Sequence, residues 1–453
     1  METSITKQQL FSKEDLKKLI IPLLFEQALA ITVGMADTVM ISSAGEAAVS
    51  GVSLIDMFNK LIISVLAALA TGGAVVTSQF LGAGKKEDAC KSAKQLIVSS
   101  VCITIGISIL VMVFCNGIIS LFFGKIEADV FHNAVIYMMI SALSFPFLAL
   151  YNSCAALFRS MGNSQITLKV SVVENIINIG GNALGVYVLG LGVAGVAIPS
   201  LISRAVAGFI LYRLLKNPSN EVHLLKESFH IDWPVIHKIF YIGIPSGIEN
   251  GIFQLGRVIV VSIIAGFGTV QIAANGVANS LDSMGCIVGQ AMNLAMITVI
   301  GRCVGAGDSG QVRYYTKKLL KITYLCTFMV NSVILLCQSC ILKCYGLSPE
   351  TTQLSYILVM IHNGMAMFLW PASFVLPNML RACNDVRFTM VLSIFSMFVF
   401  RIGFSYIIGV NMGYGAIGVW IAMVLDWIFR VICFVGRYLS GHWLKTAGLQ
   451  DNR

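Results

Sequence analysis

Two carboxylates interrupt an otherwise oily stretch of spanning length, 20–41 (IIPLLFEQALAITVGMADTVMI): Glu26 and Asp37. A charge placed in hydrocarbon costs at least about 2.5 kcal/mol on insertion scales, and such residues mark ion pathways, proton relays and ligand sites. The two acids are eleven residues apart, nearly three helical turns, so they fall on almost the same helix side, roughly 16 Å apart in depth. A lone carboxylate at Asp37 suits reversible binding of a proton or a cation; as a purely structural group it would hydrogen-bond to a neighbouring helix. Other acids and bases recur inside apolar runs. Asp56 and Lys60 stand at i,i+4, as do Asp426 and Arg430, the spacing of ion pairs that cost less to bury. Glu174, Arg257, Asp282 and Arg401 have no sequence-local partner. Seven embedded acids (Glu26, Asp37, Asp56, Glu174, Glu249, Asp282, Asp426) against four bases (Lys60, Arg204, Arg257, Arg401) leave three excess negative charges, and a net-negative interior favours cationic cargo.

The elements that must carry these residues are membrane helices. A 453-residue chain that is 57% hydrophobic and 12% charged, with mean hydropathy +0.83, has far less charge than the roughly 25% of soluble domains. Twelve apolar runs are long enough for a bilayer of about 30 Å: 17–42, 52–80, 95–122, 132–158, 165–188, 192–214, 236–265, 274–302, 320–344, 352–380, 388–410 and 415–439. The fold class is therefore an all-α polytopic membrane protein. A long polar gap, 212–238, separates six runs from six. It divides the chain into an N-terminal six-helix lobe (1–215), a linker on the cytoplasmic side (216–235) and a C-terminal six-helix lobe (236–453).

The lobes are copies. Advancing the numbering by 223 lays Ile21-Pro22 on Ile244-Pro245, Glu26-Gln27 on Glu249-Asn250, Gly45 on Gly268, and Leu81-Gly-Ala-Gly84 on Val304-Gly-Ala-Gly307. A fixed offset of this length signals duplication. Asp37 breaks the symmetry, because its counterpart is Val260. Glu26 and Glu249, at equal depth in the two lobes, would face each other across the inner mouth of a central cavity as a gate or substrate ring, or each would pair with a nearby cation. The two Gly-Ala-Gly segments lack the GxxxxGK[ST] pattern of a phosphate loop and are expected to be helix-ending turns.

With the N-terminus inside, the 31 Lys and Arg divide into 25 at the inner face, two outside (Lys125, Lys343) and four in spans, which places both termini in the cytoplasm. The net charge of +9 then answers to anionic lipid; no basic and aromatic groove suggests nucleic acid. The polar start running directly into a full-length span argues against a cleaved signal peptide. The twelve cysteines, scattered mainly through apolar runs, read as small hydrophobes. His223, His230 and His237, at seven-residue spacing in the linker, read as a solvated face. A membrane-embedded transferase would need clustered acids or an HExxH motif, and neither occurs; no enzyme activity, cofactor or resident metal is expected. Six prolines at or inside spans (Pro22, Pro146, Pro199, Pro245, Pro371, Pro377) permit kinks. The 20 Met and 26 Phe offer soft and aromatic walls for lipophilic cations as well as ordinary packing.

Met35-Ala-Asp37-Thr-Val-Met40, the two Gly-Ala-Gly turns, Arg159-Ser-Met-Gly162 and Gly192-Val-Ala-Gly195-Val-Ala197, taken in order, resemble the multidrug and toxic compound extrusion (MATE) family over nearly the whole chain. The resemblance implies two six-helix bundles related by a pseudo-two-fold axis along the membrane normal, acting as a functional monomer. It further implies export of organic cations in exchange for H⁺ or Na⁺ by alternating access. Flippases of lipid-linked oligosaccharides share the superfamily and are the alternative. The family's helix-1 carboxylate falls on Asp37; its fifth-helix Asn-x-x-x-Asp falls on Asn178-Ile-Gly-Gly-Asn182, an amide replacing the second acid; and its sixth-helix hydroxyl falls on Ser200. Carboxylate, amide and hydroxyl oxygens suit Na⁺, with Asp37, Asn178 and Asn182 as ligands. A site with one formal charge holds Na⁺ less tightly, and desolvation favours a neutral carboxyl, so H⁺ is the favoured coupling ion. In the second lobe Phe253 and Trp370 stand near positions where relatives carry acids.

Overall fold

The computed structural model describes residues 9–124, 126–224 and 230–450; Lys125 of the outer face lies outside the described residues. Twelve helical spans run in order: α1 Lys13–Ser42, α2 Glu46–Gly82, α3 Lys86–Val113, α4 Ala128–Ser160, α5 Ser164–Ala183 continued by a π-turn Leu184–Val188, and α6 Ala194–Leu215. The second lobe follows with α7 Trp233–Ala265, α8 Thr269–Gly285 and Ile287–Gly305, α9 Ser309–Cys344, α10 Pro349–Ala382, α11 Val386–Asn411 and α12 Gly415–Leu439. Eleven of these are long and apolar enough to cross a membrane by composition. The remaining one, α5, has the right length, but Lys169, Glu174, Asn175, Asn178 and Asn182 lower its hydropathy. Asn178 and Asn182 among them are the site residues that the family resemblance implies, and Glu174 is one of the embedded acids. Large apolar side chains cover the outer surface, with Leu121, Leu336 and Ile432 exposed by 82%, 84% and 65%, which only hydrocarbon can accept at this scale.

Helix ends follow from local chemistry. The Ser12 hydroxyl and Asp15 carboxylate form a capping box at the start of α1, and Asp308 and Ser348 cap α9 and α10. Gly84 and Gly307 take φ values of +72° and +70°, the left-handed conformation that ends a helix without Cβ strain. Asn384, with φ +64°, does the same after α10 and is the one non-glycine with positive φ among the described residues. The expected turns at the two Gly-Ala-Gly segments are therefore present.

The first glycine of each turn has a second task. A Cβ on Gly82 would lie 2.0 Å from the carbonyl oxygen of Arg302, and one on Gly305 would lie 1.9 Å from that of Gln79. Gly82 and Gly305 are repeat mates, as are Gln79 and Arg302, so the contact between α2 and α8 is reciprocal, as a two-fold axis requires. Side chains repeat the relation. Gln79 donates to the carbonyl of Ala382 at the end of α10 (2.9 Å) and to the Asn384 side chain (3.1 Å). Arg302 donates to the carbonyl of Ser160 at the end of α4 (2.9 Å) and pairs with Glu221 of the linker (2.7 Å). Each lobe thus satisfies a helix end of the other. Both described chain ends lie on this same face: Phe11 exchanges hydrogen bonds with the hydroxyl of Tyr315 at the start of α9, and Arg313 lies over the ring of Trp443. Deeper in, α2 and α7 cross closely, with Gly72 against Ile239 and Gly243. Beside them a recess between the lobes is lined by Thr71, Asn152, Arg159 and Thr298 among others.

Cysteines are only partly the buried hydrophobes expected. Cys90, Cys115, Cys154, Cys303 and Cys383 are buried, whereas Cys102, Cys337, Cys340 and Cys344 are exposed, the last three along α9. In the linker, Val222 is wholly buried in the first lobe's core, and the His223 backbone N–H reaches the Cys90 sulfur at 3.4 Å. That part of the linker is a docked strap rather than a solvated face; 225–229 lie outside the described residues.

Candidate functional site

The four site residues of the first lobe meet in one hydrogen-bonded chain. The Asn182 side-chain amide donates to Asp37 Oδ1 at 2.7 Å and to Asn178 Oδ1 at 3.3 Å. Asn178 in turn donates to the Ser200 hydroxyl at 2.9 Å, and Ser200 donates to the Val196 carbonyl at 3.0 Å. Asp37 comes from α1, the two asparagines from successive turns of α5, and Ser200 from α6, where Gly185 and Gly195 let the helix backbones touch. Asn178 and Asn182 are buried, while Asp37 is half-buried. The Asn182 Oδ1 atom is buried without a partner, an uncommon condition for a polar atom.

Further charges stand around this chain. Tyr137 of α4 donates to Asp56 at 3.0 Å, so Asp56 is held across to another helix rather than closing the i,i+4 pair with Lys60 that the sequence suggests. Arg204 of α6 donates to the Ser144 hydroxyl at 2.7 Å. The sequence supplies no signal for the contact of Tyr137 or Ser144, because both depend on how α4 packs against α2 and α6.

Glu26 and Glu249 do not face each other as bare acids. Glu26 pairs with Arg159 at 2.5 Å and accepts from the Thr167 hydroxyl at 3.1 Å; Glu249 pairs with Arg381 at 2.7 Å. Both acids are buried, 5% and 7% exposed. Arg159 and Arg381 each stand one residue before the end of their helix, α4 and α10, and one position apart in the repeat register, so each lobe carries a neutral pair, and Arg159 reaches the central recess. The pairing, and not an acid ring, is the structural outcome.

This alters the charge count. The bases that neutralise Glu26, Glu249 and Asp426 are Arg159, Arg381 and Arg430, none of which entered the sequence tally. Arg430 bonds Asp426 as the i,i+4 spacing predicts, at 3.1 Å, and its guanidinium lies over Phe253 and Phe374. Phe253 and Trp370 both belong to this aromatic cluster. Asp282 finds a partner far along the chain: His362 Nε2 lies 2.6 Å from its Oδ1, and Cys286 approaches the same oxygen at 3.1 Å. The interior is therefore not uniformly negative. Among the described residues Asp37, Asp56, Glu174, Lys60 and Arg204 remain outside ion pairs in the first lobe, and Arg257 and Arg401 in the second.

The MatE family model matches residues 22–184 and 245–407, once in each half. The chain is 28% identical to YisQ of Bacillus subtilis, named an uncharacterized transporter, over 97% of this chain and 99% of that one. It is 24% identical to a probable multidrug resistance protein NorM of Thermotoga maritima over 97% and 95%. Among solved structures it superimposes on a MOP superfamily transporter from Pyrococcus furiosus, described as having a binding pocket of reverse polarity, with TM-score 0.89 at 20% identity over 96% of both chains. A MATE transporter in complex with the ligand MaL6 matches with TM-score 0.88, also at 20% identity over 96% of both. A family model that spans most of the chain, in two copies carried by two six-helix lobes, makes this protein a member of the MATE family of multi-pass membrane transporters, and not an enzyme.

Proposed function

We propose that the protein is a secondary antiporter that exports lipophilic organic cations across the cell membrane in exchange for protons, with both termini cytoplasmic. The observation that carries the reading is the chain Asp37–Asn182–Asn178–Ser200, which puts one ionisable group, half-buried, at the head of a neutral hydrogen-bond relay joining three helices. The NorM relatives named as multidrug resistance proteins support the cargo class.

The geometry supports H⁺ over Na⁺. A sodium ion between Asp37 and Asn178 needs oxygens pointing inward, yet the Asn182 amide N–H occupies that place and bonds both. Sodium would require this amide to turn so that its orphaned Oδ1 replaces the nitrogen. A proton requires no such change, since it adds to the carboxylate itself.

Coupling follows from competition. Ionised Asp37 attracts a cation and holds the Asn182 amide; protonated Asp37 does neither as well. In the outward state protonation releases the exported cation and loosens the α1–α5 contact. The loaded carrier then opens the face where Gln79 and Arg302 bind the opposite lobe, loses its proton and takes up new cargo. A ligand shifts such an equilibrium only through its different affinity for the two states. The test is drug-cation movement in proteoliposomes under separately imposed pH and Na⁺ gradients. The pH gradient alone is expected to drive transport; drive by Na⁺ alone would replace the proton, and drive by neither would overturn antiport.

A further inference from the structure

The repeat that makes the lobes alike lays the first-lobe site on second-lobe positions of different charge, with its acids replaced by neutral residues and arginines standing at neutral positions. At the 223-residue offset Val260 lies on Asp37, Arg257 on Gly34, Asn279 on Asp56 and Arg401 on Asn178. Gly195 and Gly418, repeat mates, make the same close approach to the preceding helix, so the register holds through the α5–α6 and α11–α12 hairpins. These second-lobe residues are gathered in space: a small open recess is lined by Arg257, Asn275, Asn279, Arg401 and Trp420 among others. An acid site in one lobe thus has an arginine-lined recess as its repeat counterpart in the other.

Neither guanidinium has a hydrogen-bond or ion-pair partner among the described residues, and Arg401 Nε is buried without one. Unpaired arginines in a membrane interior are costly and face a water-filled or ligand-bearing cavity. The acids whose fields reach them are engaged elsewhere, Asp282 with His362 and Asp426 with Arg430. The amide partner is also fixed: Asn275 Oδ1 accepts from the Trp420 indole at 3.0 Å, which leaves its N–H groups to donate. Two guanidinium forks and an amide form a set dominated by donors, matched to a ligand with only acceptors, and arginine forks fit carboxylate or phosphate oxygens bidentately.

We propose that this recess binds an oxyanion, a carboxylate or phosphate group. The inference rests on the export reading and deepens it: an exported molecule that this recess holds carries an anionic group as well as its cationic one. The same oxygens occur on lipid phosphate, and the test separates the two sources.

The full chain in dodecyl maltoside micelles, which carry no phosphate, is titrated with rhodamine 19, which has a free carboxylate, and with its ethyl ester rhodamine 6G, which has none, by fluorescence anisotropy. Wild type is expected to prefer the free acid, on the order of tenfold for one charge-assisted contact. Arg401→Gln and Arg257→Gln should remove the preference while leaving ester binding within about twofold, and Arg401→Lys should restore part of it. Thermal unfolding of each variant reports folding, and the acid–ester comparison in wild type needs no variant at all. If added phosphatidylglycerol abolishes the preference, lipid phosphate reaches the same donors; if it does not, the site serves the exported molecule. Equal binding of both dyes by wild type with no arginine-dependent effect of phosphatidylglycerol, or equal losses for both dyes in the arginine variants, overturns the proposal. Binding is read at equilibrium, so failure of gradient-driven export would leave this result standing.

Discussion

Replacing Gly82 or Gly305 by alanine tests the two-fold closure between the lobes. The added methyl would sit 2.0 or 1.9 Å from an opposing backbone carbonyl, whereas carbon–oxygen contacts settle near 3.3–3.6 Å, roughly 1.4 Å farther out. The obstacle is backbone at a packed axis and has no rotamer to yield, so α2 and α8 must part. Overpacking of this kind costs about 1–3 kcal/mol, and it acts on the closed state alone, since the contact is lost when that face opens. A differential cost of that size shifts a two-state population roughly 5- to 150-fold. Cys303 and Cys383, both fully buried beside the closure, are native reporters. In proteoliposomes their alkylation by N-ethylmaleimide, followed by peptide mass spectrometry, should accelerate in Gly82→Ala and Gly305→Ala to a similar degree. Gly106→Ala, whose methyl meets nothing within 4 Å, is the control and should behave as wild type. Unchanged labelling in both interface variants, or an equal rise in the control, would refute the reciprocal closure.

Further expectations concern single residues. Arg159→Met should destabilise the first lobe by about 3–5 kcal/mol, the cost of leaving the buried Glu26 charge unpaired; the double variant with Glu26→Gln should recover much of it, and additive losses in thermal unfolding would show that the two do not interact. Asn182→Asp restores a second acid beside Asp37 and should raise Na⁺ affinity by isothermal titration; unchanged Na⁺ binding would remove Asn182 from any cation site. Arg302→Ala loses the cap on Ser160 and the pair with Glu221 together, and should raise Cys303 alkylation as the glycine variants do; labelling at the wild-type rate would confine the closure to the backbone contact.

What the sequence displays depends on the range of the interaction. Hydropathy and a fixed offset are local or periodic properties, so the twelve spans, the duplication and the singular Asp37 are visible in the chain itself. The grouping of Asn178, Asn182 and Ser200 with Asp37 is legible through family motifs and not through spacing, because α1 and α5 are brought together only by packing. Contacts across more than a hundred residues, such as Glu26 with Arg159 or Gln79 with Ala382, leave no trace in a single sequence. Asp56 shows the opposite hazard: an i,i+4 base is near, yet Tyr137 from another helix provides the hydrogen bond. The charge difference between the lobes, by contrast, is legible from the offset once Arg401 is laid on Asn178. It is obscured when embedded charges are counted without regard to lobe or partner.

The central claim is that Asp37 carries the coupling proton. The most direct measurement is drug-cation transport driven by an imposed pH gradient in proteoliposomes containing wild type or Asp37→Asn, with equal incorporation and matched thermal stability confirmed beforehand. Loss of gradient-driven transport in the variant, with drug binding still measurable, is the expected result; full gradient-driven transport by Asp37→Asn would contradict it.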